Sequence, residues 1–265
     1  MSGNIRIGVG GWTYEPWRGT FYPEKLVQKR ELEYASRQLT SIEINGTFYG
    51  SQKPETFAKW HDETPDGFVF ALKAPRYATH RSDLSGAGPT IKRFVTGGIL
   101  ELKDKLGPIN WQLMPTTQFN PVAVEGFLKL LPEEAGGRTL RHAIEARHNS
   151  FRVPEFVALA RQYGVAIVVA GDSKYPEIAD ISTDFVYARL QTGDDQCETA
   201  YEPAELDAWA GRLKTWAAGG APDGLPIMDK THPAPNTPRD VFAFIIHEGK
   251  VRAPAGAMAL IERVK

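Results

Sequence analysis

The sequence predicts an α/β fold, a single (β/α)8 TIM barrel spanning residues 1–265. Eight short apolar or alternating runs of strand type recur along the chain, with segments of helical spacing between them. Strand and helix alternating in this way predict a parallel sheet, and eight such units in a chain of 265 residues are the usual size of this barrel. A doubly wound sheet is the competing fold, but the stretch from Gly8 to Thr13 lacks the last glycine of its fingerprint.

The predicted elements follow one another without an internal domain boundary. The predicted strands span 5–10, 41–45, 68–73, 109–114, 143–147, 165–170, 185–190 and 241–246. The predicted helices span 23–39, 54–61, 91–106, 122–131, 154–163, 204–217 and 254–263. Residues 172–184 are too short for a full helix. The Pro- and Gly-rich segment 219–238 is expected to be a surface excursion, and the acidic loop 191–202 is long and polar enough to act as a lid.

The composition narrows the class of protein. A formal net charge of -1 gives no overall attraction to nucleic acid or to acidic membranes. The start of the chain has no basic segment followed by an apolar run, and no window is apolar enough to span a bilayer, so we expect a cytoplasmic protein with no membrane partner. A single cysteine, Cys197, excludes internal disulfides and multi-thiolate metal sites.

Several motifs in the first two thirds of the chain are jointly specific. They are Gly-Gly-Trp-Thr-Tyr at 10–14, Trp-Arg at 17–18, Glu-Ile-Asn-Gly-Thr-Phe-Tyr at 43–49, Phe-Ala-Leu-Lys-Ala-Pro-Arg at 70–76, Gln-Leu-Met-Pro at 112–115 and Glu-Ala-Arg-His at 145–148. On these residues the chain resembles the YecE-like family, domain of unknown function 72. The resemblance implies a TIM barrel and leaves the reaction open.

The final third departs from the pattern of that family. The family's Arg-x-His-Gly at the seventh strand becomes Arg-Leu-Gln-Thr, so Gln191 and Thr192 replace the histidine and the glycine. Its Phe-Asn-Asn at the eighth strand becomes Ile-Ile-His, which places Ile246 and His247 at the asparagines. If those positions help to bind the ligand, this member is expected to take a different ligand or to use an altered mechanism.

Polar residues at the carboxyl ends of the strands are the candidates for chemistry, because in a TIM barrel these ends meet at one mouth. The candidate catalytic residues are Glu43, Glu145, Lys73 and His80. The candidate substrate-binding residues are Trp12, Tyr14, Arg18, Asn45, Tyr49, Gln112, Arg147, His148 and Arg189. Basic residues outnumber acidic ones in this set, so the mouth is predicted to be cationic and to favour a carboxylate or phosphate.

The leading hypothesis is an enzyme with hydrolase-like acid–base chemistry, acting on a small polar, anionic or phosphate-bearing compound without an organic cofactor or a metal. Glu43 would be the general base or acid, Glu145 its counterpart or a positioning group, and Lys73 a stabiliser of negative charge. Paired glutamates also suggest glycoside hydrolysis. A metal-dependent hydrolase using Glu43, Glu145, Asp172 and His148 ranks lower, because the interleaved cations repel a metal ion.

Two further alternatives involve no chemistry at all. The mouth of the barrel could bind a nucleic-acid end or a metabolite, since aromatic residues lie among its arginines. Alternatively, the charged residues could form a closed ion network that fills the upper barrel for structural reasons.

Overall fold

The computed structural model of the protein describes residues 2–171 and 173–265 and, within them, every side chain except that of His247. Eight parallel strands form a closed barrel in which each strand pairs with its neighbours in sequence and the last pairs with the first. They are β1 Ile5–Gly10, β2 Ser41–Ile44, β3 Val69–Lys73, β4 Leu106–Gln112, β5 His142–Glu145, β6 Val165–Gly171, β7 Phe185–Thr192 and β8 Asp240–Glu248. The TIM barrel is thus confirmed.

Alternation along each strand separates the inside of the barrel from the layer under the helices. Val69 and Ala71 of β3 belong to an interior cluster with Tyr187 of β7, whereas Phe70 and Leu72 pack in the outer core. Both faces are buried, as parallel sheets covered by helices require. The inward phase of β3 continues to Lys73, the last residue of that strand, which is therefore carried to the carboxyl-terminal mouth.

The main helices surround the barrel. They are Glu31–Gln38, Pro54–Glu63, Gly88–Val95, Pro121–Leu128, Pro154–Gln162, Pro203–Ala217 and Ala253–Val264. Shorter helical segments are Glu15–Trp17, Gln28–Arg30, Gly46–Tyr49, Arg76–Thr79, Leu84–Ala87, Gly98–Lys105 and Asn149–Phe151, and Glu134–Ala135 and Arg138–Thr139 form a small hairpin.

Two predicted helices were wrong in extent. The helix predicted over 23–39 begins only at Glu31, because Val27 is extended and a single 3-10 turn, Gln28–Arg30, precedes it. The helix predicted over 91–106 is interrupted at Gly97, whose backbone leaves the helical region, and continues as a 3-10 segment from Gly98. A Cβ at Gly98 would lie 2.8 Å from the Phe57 side chain, so the glycine permits close packing of this 3-10 segment against the helix Pro54–Glu63.

The excursion at 219–238 packs over the segment that has no helix. Ala179 donates its N–H to the Pro226 carbonyl at 3.0 Å. The buried carboxylate of Asp180 accepts the N–H groups of Met228 and Asp229 at 2.7 and 2.8 Å. The predicted surface loop therefore covers residues 173–184, where no helix forms among the described residues.

Candidate active site at the barrel mouth

A cavity of about 760 Å³ opens at the carboxyl ends of the strands. Its walls come mainly from the loops after β1, β2, β3 and β8. Four cations line it, namely Lys73, Arg147, Arg189 and Lys250, and none of its described lining residues is Asp or Glu. Such a wall favours an anion, because the positive charges act together in a partly desolvated space.

Arg189 of β7 is the centre of an ion network below this cavity. Its Nη2 donates to Oε1 of Glu43 at 2.9 Å and its Nη1 to Oε2 of Glu145 at 2.5 Å. The hydroxyl of Tyr187, two residues earlier on the same inward face, donates to the other oxygen of Glu43 at 2.6 Å. Burial, followed by the charge of Glu43, raises the pKa of Tyr187, so the tyrosine keeps the proton that it donates.

Glu145 is held as a carboxylate by four side chains. Besides Arg189, it accepts hydrogen bonds from Arg147 Nε at 2.8 Å, Gln112 Nε2 at 2.9 Å and Asn110 Nδ2 at 3.1 Å. Burial alone would raise its pKa, but the charges of Arg189 and Arg147 and these hydrogen bonds outweigh burial and lower the pKa to about 2. Both glutamates are fully buried, with every carboxylate oxygen occupied.

We expect the free energy of unfolding to fall in acid, because the ion network depends on ionised Glu145. The pKa of Glu145 falls from its ordinary value of 4.5 to about 2 on folding. Its stabilising effect, about 3 kcal/mol, is therefore complete above pH ~4.5 and disappears as the pH falls to about 2. Urea unfolding across this range should show a smaller acid-induced loss in Glu145→Gln than in the wild type. The exposed carboxylate of Glu134 offers the control, since Glu134→Gln should keep the wild-type profile; identical profiles for all three proteins would contradict the assignment.

Lys73 differs from its charged neighbours because its ammonium has no polar partner among the described residues. It is 8% exposed, lines the cavity, and within residues 2–171 and 173–265 its Nζ makes no hydrogen bond or ion pair. The ammonium lies 4.1 Å from the centroid of the Phe48 ring. Burial, followed by repulsion from Arg189, lowers the pKa of Lys73 to about 8 against the opposing effect of the two glutamates. The Thr47 hydroxyl donates to the backbone carbonyl of Lys73 at 2.6 Å and so holds this end of β3 in place.

Other predicted site residues form the rim and walls of the cavity. Trp12, Asn45, Tyr49 and His80 all line it, as does Gln112 deeper in the barrel. The His80 ring meets Phe48 edge-on at 5.1 Å between centroids. Burial, followed by the charges of Lys73 and Arg147, lowers the pKa of His80, which is therefore a neutral base at pH 7.

Three predicted binding residues lie elsewhere. Arg18 pairs with the fully buried Glu31 at 3.0 Å, which removes it from the mouth. Tyr14 packs edge-on against Trp17 at 5.5 Å and does not line the cavity. His148 accepts from the backbone of Ser150 at 3.2 Å and stabilises the turn after β5. Each of these three side chains makes its contact with a neighbouring residue outside the cavity.

Lys250 and Trp60 are among the wall residues that sequence reasoning missed. Lys250 follows β8, so its place in a loop at the mouth was a usable signal. Its ammonium lies 4.1 Å from the Tyr14 ring. Trp60 belongs to the helix Pro54–Glu63 and packs edge-on against Trp12, with 4.9 Å between the ring centroids. No local sequence pattern predicts this contact.

The predicted acidic lid does not line the cavity. Its segment from Gly193 onward folds on itself through Asp194 N–H to Ala200 carbonyl at 2.7 Å. Asp195 accepts the N–H of Val251 at 2.8 Å and so joins this loop to the one after β8. None of its residues is among the described lining residues of the mouth, so its carboxylates do not change the sign of the wall.

The departures from the family pattern alter the polarity near the mouth. Ile246 lines the cavity with an apolar side chain. Gln191 is buried, and its Nε2 has no hydrogen-bond partner in the described structure. Thr192 is the last residue of β7, and its N–H donates to the Tyr201 hydroxyl at 3.1 Å. The side chain of His247 lies outside the described residues.

The described residues contain no group of three or more His, Cys, Asp or Glu side chains placed to hold a metal ion. Of the four predicted ligands of the alternative metal site, Glu43 and Glu145 are occupied by hydrogen bonds and His148 caps a turn. Asp172 lies outside the described residues. Among the helices of the described chain, none has the length and apolar character needed to cross a membrane.

Fold and geometry together define a TIM-barrel protein with a cationic cavity at its carboxyl-terminal mouth and a neutralised ion network beneath it. The chain belongs to the family described as protein of unknown function DUF72, whose model matches residues 6–265. It is 29% identical over 150 residues to the UPF0759 protein YecE of Escherichia coli K12, an alignment that covers 56% of this chain and 50% of YecE. The chain therefore spans about half the length of this curated relative.

Solved structures show the same fold. A DUF72 family protein from Thermotoga maritima superposes with a TM-score of 0.72 at 20% identity, covering 97% of each chain. One from Enterococcus faecalis also gives 0.72, at 14% identity, covering 98% of this chain and 95% of its own. Endonuclease IV from Thermus thermophilus gives 0.50 at 13% identity, with 97% and 99% covered. At such identities the likeness concerns the fold.

Proposed function

We propose that this protein is an enzyme that acts on a small anionic substrate, carrying a phosphate or carboxylate, at the mouth of the barrel. The observation that carries the proposal is Lys73, whose ammonium has no polar partner in the described part of the chain and lies in a cavity whose described wall holds cations and no carboxylate. A lysine kept there without a partner costs stability, and such groups are concentrated at functional sites. Lys73 is therefore the group most available for chemistry.

The proposal keeps the acid–base chemistry expected from the sequence and moves it to Lys73 and His80. A general acid needs a proton near neutral pH, which Glu145, with a pKa of about 2, does not hold. Glu145 is also fully buried, so its carboxylate is shielded from solvent water. Glu43 and Glu145 instead act as positioning residues, since they fix Arg189 and Arg147 at the cavity floor.

Lys73 with a pKa of about 8 exchanges its proton readily at neutral pH. Its ammonium form stabilises negative charge that develops on a substrate, and its amine form accepts a proton. His80 on the same cavity wall can relay that proton to solvent, because it is exposed and neutral. Arg147 and Lys250 provide further charges for the substrate's anionic group.

Anion binding is tested by thermal unfolding in phosphate and in chloride at matched ionic strength. A specific ligand at about a hundred times its Kd adds about 2.7 kcal/mol, which raises Tm by several degrees. The rise should fall sharply in Arg147→Gln and persist in Arg93→Gln, because Arg93 is exposed on the helix Gly88–Val95 and outside the cavity. Equal rises in the two variants, or none in the wild type, would overturn the anion site.

A second candidate is the binding of a nucleic-acid end at the same mouth. The observation that favours it is the exposure of two aromatic rings. Tyr49, which lines the cavity, is 66% exposed, and Tyr77, three residues before the lining residue His80, is 62% exposed with the Arg76 guanidinium 5.3 Å from its ring centroid. Unstacked bases bind such surfaces. Affinity for a single-stranded oligonucleotide should then fall steeply with salt. Affinity for free phosphate without any for the oligonucleotide would leave only the first candidate.

A further inference from the structure

We propose that Lys73 is a nucleophile that forms an imine with the carbonyl carbon of the substrate, which makes the substrate an anionic aldehyde or ketone. This inference rests on the proposed function, because it names the substrate class of the same cavity. A lysine that attacks a carbonyl must face the substrate, must be free of competing partners, and must be available as the neutral amine. The surroundings of Lys73 meet each of these conditions.

A buried lysine with a structural role in this protein has a different environment. Lys105 is 3% exposed, and its Nζ donates to the carbonyls of His61 and Thr64, both at 2.6 Å. Lys73 is 8% exposed, yet its Nζ borders a cavity, lies over the face of the Phe48 ring and makes no hydrogen bond among the described residues. The comparison indicates that Lys73 is not retained for anchoring.

The neighbouring charges make the amine available. Burial, followed by the charge of Arg189 and to a lesser degree that of Arg147, lowers the pKa of Lys73 to about 8 against the opposing charges of Glu43 and Glu145. Desolvation and a nearby cation are the two usual means of activating a lysine for attack on a carbonyl. Both arginines are fixed by Glu145, so they cannot move away when the substrate enters.

The step balances as follows. The neutral Nζ attacks the carbonyl carbon, the C–N bond forms as the C=O π pair moves onto oxygen, and a proton passes from the nitrogen to that oxygen to give a neutral carbinolamine. A second proton on that oxygen lets it leave as water while the nitrogen lone pair forms the C=N bond. From the ammonium form, the net change is the loss of one water. His80, which lines the cavity and contacts Phe48, is placed to take the proton from Lys73 and return it to the departing oxygen.

The anionic part of the substrate follows from the rest of the wall. When Lys73 is the neutral amine that attacks the carbonyl, Arg147 and Lys250 are the cations of the wall that can bind a carboxylate or phosphate of the substrate. An iminium next to Arg189 is itself positive and draws electrons from the adjacent carbon, which suits bond making or breaking beside the carbonyl. The cavity of about 760 Å³ has room for a compound of a few carbons.

The test uses glyoxylate, a small anionic aldehyde, with cyanoborohydride at pH 7 to convert any imine to a stable secondary amine. Intact mass and peptide mapping should locate the first adduct on Lys73, modified roughly ten- to a hundredfold faster than the exposed Lys92, because the lowered pKa of Lys73 keeps more of its amine neutral than is usual for lysine. The first adduct should be lost in Lys73→Arg and kept in Lys92→Arg. Glycolate, which keeps the carboxylate but has no aldehyde or ketone group, should give no adduct.

Modification of Lys73 no faster than that of Lys92 would overturn the imine proposal. Chemical unfolding in denaturant should abolish the preference for Lys73, since it depends on the folded cavity. The result is separable from the phosphate experiment. A phosphate-dependent rise in Tm without a Lys73 adduct would keep the anion-binding enzyme and remove the imine. A Lys73 adduct without a phosphate response would keep the nucleophile and remove the anion site.

Discussion

Arg189→Met is expected to lower the free energy of unfolding by about 3–5 kcal/mol, the range for breaking a buried ion pair from one side. The guanidinium is 4% exposed and lies between two fully buried carboxylates. Without Arg189, Glu43 keeps only its hydrogen bond from Tyr187. Glu145 loses its shortest hydrogen bond. The cost arises mainly from stranded negative charge, because methionine fills a similar volume. Urea unfolding at pH 7 measures the effect.

Two variants make this expectation specific. Arg263→Met breaks a more exposed pair, Arg263 to Asp207 at 2.7 Å, and should cost less than about 1 kcal/mol. The triple variant Arg189→Met, Glu43→Gln, Glu145→Gln removes the stranded charges and should recover part of the loss. If Arg189→Met were as stable as Arg263→Met, the network would not be the structural support of the mouth.

Lys73→Met is expected to have the opposite sign and to raise the free energy of unfolding at pH 7 by up to about 3 kcal/mol. The pKa of Lys73 falls from its ordinary value of 10.5 to about 8 on folding. Below pH 8 both the folded and the unfolded chain carry this proton, so the folded state bears the full cost of the buried cation. The same variant should lose the Lys73 adduct and the largest part of the phosphate-dependent rise in Tm.

The pH dependence of the gain is a further signature. Between pH 8 and 10.5 the folded wild type releases its proton while the unfolded chain keeps it, so wild-type stability increases relative to Lys73→Met and the difference closes. Lys105→Met should be destabilised instead, because it loses the hydrogen bonds to His61 and Thr64. A destabilised Lys73→Met at pH 7 would show that Lys73 is structural. Gain of stability with loss of binding is the usual trade-off at a functional site.

The sequence by itself determined the barrel and the direction of many of its side chains. The period of two along β3 placed Lys73 inward, and the same counting placed Tyr187 and Arg189 together on β7. The direction of each side chain can be predicted locally, because a shift of one residue in the strand register would turn the apolar side chains to the wrong face. Eight such strands in sequence order leave little freedom in how the barrel closes.

Only the tertiary structure decided which partner each polar side chain takes. Arg189 meets Glu43 across a sequence separation of 146 residues, and this contact occupies a carboxylate that the sequence suggested for catalysis. Arg18 is instead drawn to Glu31, 13 residues away, while Lys73 is left unpaired among the described residues. Periodicity fixes the face from which a side chain projects. Its charge state and availability depend on the neighbours that chain closure brings within a few ångströms, where burial strengthens every electrostatic interaction.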